Sequence, residues 1–175
     1  MTDGNMQFRR NTDPALLSRL AVNAEPSIAI LGCSDCRVTP EKIFNLSMGD
    51  AFVVRILGNC ASEPAVMGSL EYSVETLRVR MIVVLGHTDC GAVKATVRDD
   101  VPEGLKGVAR DIERARSRLS GQDANSVDAI AEANVRLQIG QITTNSCLIR
   151  DAVESGRLVI TGCMYDISTG LVRLL

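Results

Sequence analysis

Two short stretches of this chain carry the side chains of metal and thiol chemistry. Cys33 and Cys36 lie in GCSDCRVTP, and His87 and Cys90 lie in GHTDCG. A C-x-x-C pair is a redox dithiol, half of a structural zinc cage, or one metal ligand beside a bystander. A dithiol uses Cys33 and Cys36 alone and leaves GHTDCG without a role. A closed cage takes Cys33, Cys36, His87 and Cys90. An open site takes Cys33, His87 and Cys90 and keeps a fourth position for water; thiolates and imidazole are the usual ligands of zinc. Spacing alone does not decide among the three. Taken singly, a buried cysteine is an ordinary small core residue and a buried histidine an ordinary hydrogen-bonded one; it is their conjunction that points to metal.

The elements that position these residues are legible as apolar runs. Four of them, Ser27 to Gly32, Ala51 to Ile56, Met81 to Gly86 and Leu158 to Gly162, are continuous rather than alternating. That is the pattern of parallel strands covered on both faces. Between the second and third runs, Met67, Leu70, Val74 and Leu77 recur at helical spacing, with Ser62 as the expected N-cap and Pro64 in the first turn. This is a βαβ unit. Further helices are expected from about Leu105 to Leu119 and, as a pair, from Val127 to Ser155, with SGQDANS between them as a loop. The terminal GLVRLL reads as an edge strand or as an arm laid on a partner subunit. The expected fold is α/β, with a mainly parallel central sheet of about four to five strands flanked by helices. Cys33 then follows the first strand and His87 the third, both at strand carboxyl ends, where open α/β sheets bind ligands. Glycines 32, 86 and 91 flank the same residues and read as turn formers that also aim them.

Composition narrows the function classes. The 175 residues are 46% hydrophobic, enough for the core of one domain. Nineteen Lys and Arg against 21 Asp and Glu give a formal charge of −2 with no basic stripe, which argues against nucleic acid as a partner. The start MTDGNMQFRRNTD lacks a signal-peptide core, and the apolar runs are strand-length rather than membrane-length, so the expectation is a cytoplasmic chain with no membrane segment. Six scattered cysteines read as reduced thiols or metal ligands rather than a disulfide framework. His87 is the single histidine.

The stretches GNMQF, CSDCRVTPEKIF, GDAFVVRILGN, GSLEYSVETL, VVLGHTDCGAVKA and GRLVITGCMYDISTGLV make the chain resemble a β-class carbonic anhydrase, almost from end to end. The resemblance implies one such domain over residues 1–175 with a short N-terminal helical arm. It implies a Zn2+ site of Cys33, His87 and Cys90, an Asp35–Arg37 dyad, and a homodimer or larger homo-oligomer with active sites at the subunit interface. Cys36 falls where the family usually has serine, which favours the bystander reading. An apolar substrate pocket is implied for Phe52, Leu57 and Tyr72, with Gly91 beside it. In the implied reaction a zinc-bound hydroxide attacks carbon dioxide to give bicarbonate, Asp35 orients the nucleophile and Arg37 holds Asp35. Carbonyl sulfide and carbon disulfide are alternative substrates of the same nucleophile. Asp35 is also a possible fourth zinc ligand in a closed state, as in some members of the family. The chain departs from the family pattern in Arg55-Ile56-Leu57-Gly58-Asn59, in Ala24 where many members have a substrate-binding glutamine, and in Ile30 where some have the tryptophan of a noncatalytic bicarbonate pocket.

Overall fold

The computed structural model describes residues 1–175. Its centre is a five-stranded sheet: β1 (Ile28–Gly32), β2 (Ala51–Arg55), β3 (Met81–His87), β4 (Val159–Tyr165) and β5 (Val172–Leu174), in the order β2-β1-β3-β4-β5. The first four are parallel and β5 is antiparallel to β4. The central runs IAILG and MIVVLGH are buried along nearly their whole length, as strands covered on both faces must be. Successive residues part to opposite faces. Ala29, Leu31, Ile82 and Val84 enter the larger core, while Ile30, Val83 and Leu85 meet Val38 and Cys163 in a smaller one. Each fully buried Leu or Ile contributes about 1.5–3 kcal/mol.

The helices are α1 (Thr2–Asn11), α2 (Pro14–Val22), α3 (Pro40–Ile43), α4 (Pro64–Glu75), α5 (Gly91–Val97), α6 (Lys106–Arg116), α7 (Val127–Asn145) and α8 (Cys147–Glu154). Helix α7 lies against β3 and β4. Its Val135 fills the space that side chains at Gly86 and Gly162 would take: a Cβ there would come within 2.5 Å and 2.7 Å of Val135 methyl groups. Gly86 therefore serves close helix–sheet packing. Gly32 ends β1, Gly86 lies within β3 and Gly91 opens α5, so these three sit in regular elements rather than in turns; the left-handed residues at the site are Gly58, Asn59 and Asp89.

Several boundaries differ from the sequence expectation. Strand β3 continues through His87 and β4 through Tyr165, because their backbones still pair in the parallel ladder, His87 opposite Tyr165. Helix α4 opens at Pro64 with Glu63 as N-cap and no side-chain capping bond, so Ser62 does not cap it, and Leu77 lies beyond its end. The SGQDANS segment contains a 3-10 turn, Gly121–Asn125. The terminal run supplies the edge strand β5. No helix is long and apolar enough to cross a membrane.

Candidate metal centre

The strand order 2-1-3-4-5 reverses between β1 and β3, and a crevice opens outside the carboxyl ends of strands at such a point. Cys33 leaves the end of β1 there and His87 is the last residue of β3. Asp89 adopts a left-handed backbone, φ 58°, which turns the chain so that Cys90, the N-cap residue of α5, comes back to His87. The candidate ligand atoms of Cys33, His87 and Cys90 lie within 4.8 Å of one another, and all three residues are buried. Cys36 is exposed and outside this cluster, so the four-residue cage is not assembled; all six cysteines are free thiols.

The donors fit a dication. His87 Nδ1 lies 2.8 Å from the Thr88 carbonyl, which only accepts, so Nδ1 carries the hydrogen and the lone pair falls on Nε2. Nε2 is buried without a hydrogen-bond partner. Burial alone would lower the His87 pKa, but the adjacent Cys33 sulfur and the Thr88 carbonyl raise it overall. The hydrogen bond from Cys90 draws the Cys33 thiol well below its ordinary value against the effect of burial, helped by His87 and by the backbone N–H groups of Asp35 and Gly58. Cys90 is pushed up by the same bond and by burial, although the N–H groups of Val93 and Ala92 in α5 favour its thiolate. Two buried thiols next to each other resist a second ionisation. A bound dication removes that conflict, because thiolates are then its ligands.

Asp35 is held off this cluster. Its Oδ1 accepts from the backbone N–H and Nε of Arg37 at 2.9 and 3.0 Å, and its Oδ2 accepts from Nη2 at 2.7 Å. The guanidinium keeps the Asp35 carboxyl far below the usual carboxylate range. Arg37 in turn donates to Asp89 Oδ2 at 3.1 Å, and Lys94 pairs with the other Asp89 oxygen. The Asp89 N–H donates to Asp128 Oδ1 at 2.8 Å.

The expected pocket residues are placed unevenly. Leu57 is half-buried in the 3-10 turn Leu57–Asn59, next to the peptide N–H of Gly58, which donates to Cys33 Sγ at 3.4 Å. Phe52 and Tyr72 pair across β2 and α4 with ring centroids 6.2 Å apart, and Tyr72 is 50% exposed. Gly91 is exposed, with open space where a Cβ would project. Ala24 precedes β1, at the end of the strand opposite Cys33, in a groove of about 570 Å³ shared with Arg78 and Arg80. Within one chain it does not reach the metal cluster. Ile30 is buried in the smaller core. The largest groove, about 870 Å³ and bordered by Thr96, Lys106 and Arg110, lies away from the metal ligands.

Sequence reasoning assigned no role to Arg55. Its Nε donates to the Cys33 carbonyl at 3.0 Å and its Nη2 to the Asp35 carbonyl at 2.7 Å, pinning the loop that carries both residues. A charged residue closing the apolar strand AFVVR was the available signal.

A mostly parallel sheet with a Cys-His-Cys set at its switch point defines an α/β protein with a candidate metal site there. The chain belongs to the carbonic anhydrase family, in its β class: the family model described as "Carbonic anhydrase" matches residues 28–172. A carbonic anhydrase of Pseudomonas aeruginosa is 36% identical over 189 aligned residues, covering 99% of this chain and 85% of the relative. The crystal structure of the β-carbonic anhydrase CafA of Aspergillus fumigatus superposes with a TM-score of 0.90 at 28% identity, covering 99% of this chain and 88% of that one. One of two tetrameric β-carbonic anhydrases of Sordaria macrospora gives 0.85 at 26% identity, covering 99% and 92%. The chain is thus an enzyme of the carbonic anhydrase class, whose general reaction is the hydration of carbon dioxide.

Proposed function

We propose that the chain interconverts carbon dioxide and bicarbonate at a zinc ion held by Cys33 Sγ, His87 Nε2 and Cys90 Sγ. The observation that carries this reading is the buried triad with its unpartnered imidazole nitrogen. Zinc, when bound, supplies a Lewis acid that makes water a nucleophile near neutral pH. The protein's own part is positioning. Arg37 holds the Asp35 carboxylate ionised and away from the three ligands, which leaves that carboxylate free to accept a hydrogen bond from the nucleophile and orient it. Arg55 fixes the backbone of the same loop. Leu57, Phe52 and Tyr72 supply the apolar surface for a substrate without charge, and Gly91 leaves room for it at the start of α5.

This reading takes residues 1–175 as one catalytic domain with α1 and α2 as an arm, working as a homodimer or larger homo-oligomer. Neither helix buries a residue, and Met6, Phe8 and Val22 are exposed. A second copy would cover them, and a solved relative is tetrameric. A reducing, cytoplasmic setting suits six free thiols.

The test is zinc content and carbon dioxide hydration measured on one preparation, beside carbonyl sulfide and carbon disulfide hydrolysis. One zinc per chain with carbon dioxide as the fastest substrate is expected. Zinc-loaded protein that hydrolyses only the sulfur compounds would transfer the assignment to them.

A further inference from the structure

Helix α7 carries two amides on its buried face, Asn134 at 1% exposure and Gln138 at 0%, one helical turn apart. They do not pair only with each other. Gln138 Nε2 donates to Asn134 Oδ1 at 2.9 Å, Asn134 Nδ2 donates to the Gly58 carbonyl at 2.7 Å, and Gln138 Oε1 accepts the Ala61 N–H at 2.7 Å. The pair therefore grips both ends of the segment from Gly58 to Ala61. On its other side the same segment gives the Gly58 N–H to Cys33 Sγ at 3.4 Å. The gripped segment is left-handed at two successive residues, Gly58 and Asn59, φ 66° and 45°. A Cβ at position 58 would also crowd Val108, Cys60 and Ile112 at 3.3–3.4 Å.

Two buried amides among apolar neighbours are costly unless satisfied, and leucine or methionine would fill the same volume without that requirement. What the amides add is direction. We propose that Asn134 and Gln138 are positioning residues for the metal centre: by holding the Gly58–Ala61 segment they aim the Gly58 N–H at Cys33 Sγ and so set how much charge that sulfur donates to the metal. This rests on the reading of Cys33 as a metal ligand. A hydrogen bond to a ligating sulfur withdraws charge from it, and such outer partners orient ligands and tune the ion they hold. The effect runs from α7 through one peptide to one sulfur, without either amide touching metal or substrate.

Cobalt(II) in place of zinc reports on the sulfur through its thiolate-to-metal charge-transfer absorption. Asn134→Leu and Asn134→Ala both remove the amide donor to the Gly58 carbonyl, leaving it only the weaker Cys60 thiol at 3.4 Å. Ser146→Ala serves as control, since Ser146 is equally buried and caps α8 far along the chain from this segment. Expected is a shift of the charge-transfer band to lower energy in both Asn134 variants, with carbon dioxide hydration reduced about tenfold. The control should lower the melting temperature and leave the band in place. If the Asn134→Leu protein does not fold, Asn134→Ala and Gln138→Met carry the same comparison, the latter by removing the acceptor of the Ala61 N–H. A wild-type band that stays unmoved in folded Asn134 variants, with melting temperatures lowered as in the control, overturns the inference and makes the amides packing residues. A wild-type protein that takes up cobalt without any thiolate band overturns the metal reading itself.

Discussion

The loop after β1 and the arm before it are both short and both outside the sheet, yet they are held in opposite ways. From Cys33 to Arg37 the loop is tied by directed bonds within the chain: Arg55 donates to two of its carbonyls, Arg37 to Asp35, and the Gly58 N–H to the Cys33 sulfur. From Thr2 to Val22 two helices form with no residue buried, and α2 touches the body through Leu20 against Gly49. The first region is over-determined, as a site must be if its ligands are to be held before the metal arrives. The second is under-determined by this chain, and in the proposed homo-oligomer a second copy would cover it. The candidate ligands are thus brought together and buried within one chain, whereas the arm leaves its apolar side chains exposed.

The sharpest way to break that contrast is at the ligands. Alanine in place of Cys33, His87 or Cys90 should abolish metal binding and bring hydration to background. Cys36→Ser should keep both within about twofold, as expected of an exposed side chain outside the cluster. Metal analysis of the purified variants checks this, and zinc lost from Cys36→Ser would return the closed cage to contention.

Arg37→Ala comes next. Asp35 lies far below the usual carboxylate range because Arg37 bonds it, so without Arg37 its pKa rises toward the ordinary value near 3.9 and it stays ionised at neutral pH. With metal held by Cys33, His87 and Cys90, a free carboxylate would compete with hydroxide for the position they leave open. Exchange of Asp35 for hydroxide would release a proton from water, so rising pH would favour the open site. Activity should fall about 10- to 100-fold at neutral pH and recover in part at alkaline pH. X-ray absorption at the metal would show an added carboxylate oxygen at low pH; an oxygen shell that is the same at every pH removes this competition.

Smaller again in its effect on the metal site is the arm. Phe8→Asp combined with Met6→Asp should raise the dimer dissociation constant about 100-fold if each charge costs about 1.4 kcal/mol at a subunit contact. Zinc content should not change, because the ligands are held within the chain. Sedimentation at a series of concentrations reads the result, and an unaltered mass would mean that the arm is merely solvated.

Much of the sheet was legible because strands covered on both faces need continuous apolar runs, and IAILG and MIVVLGH are such runs. The candidate triad was legible in its residue types and in its place at strand ends. What could not be read depended on distant partners. Asn134 and Gly58 are 76 residues apart in sequence, and nothing near either one announces the bond. His87 and Tyr165 extend their strands although neither belongs to an apolar run, because backbone pairing continues past the core that nucleates it. Ser62 had the right chemistry for a cap, but the helix starts at Pro64 and places Glu63 in the cap position.

The smallest expected effect lies at the far edge of the sheet, where Arg173 of β5 donates to Glu132 of α7 at 2.6 Å and Arg136 shares the other oxygen. Arg173, then Arg136, lower the Glu132 pKa against partial burial. A carboxylate whose folded-state pKa is depressed stabilises the fold above its unfolded value, near 4.3, and loses that contribution as pH falls through the lowered one. The pair is open to solvent, so Arg173→Ala should cost at most about 1 kcal/mol at pH 7. The difference from wild type should shrink steadily below about pH 4 as Glu132 is protonated in both proteins. Urea unfolding at pH 7 and at pH 3 checks this. A loss that is equally large at both pH values would show that Arg173 holds β5 through the packing of its carbon chain on α7 rather than through charge. Edge and centre would then differ in kind: shape at the edge, directed polar bonds at the metal site.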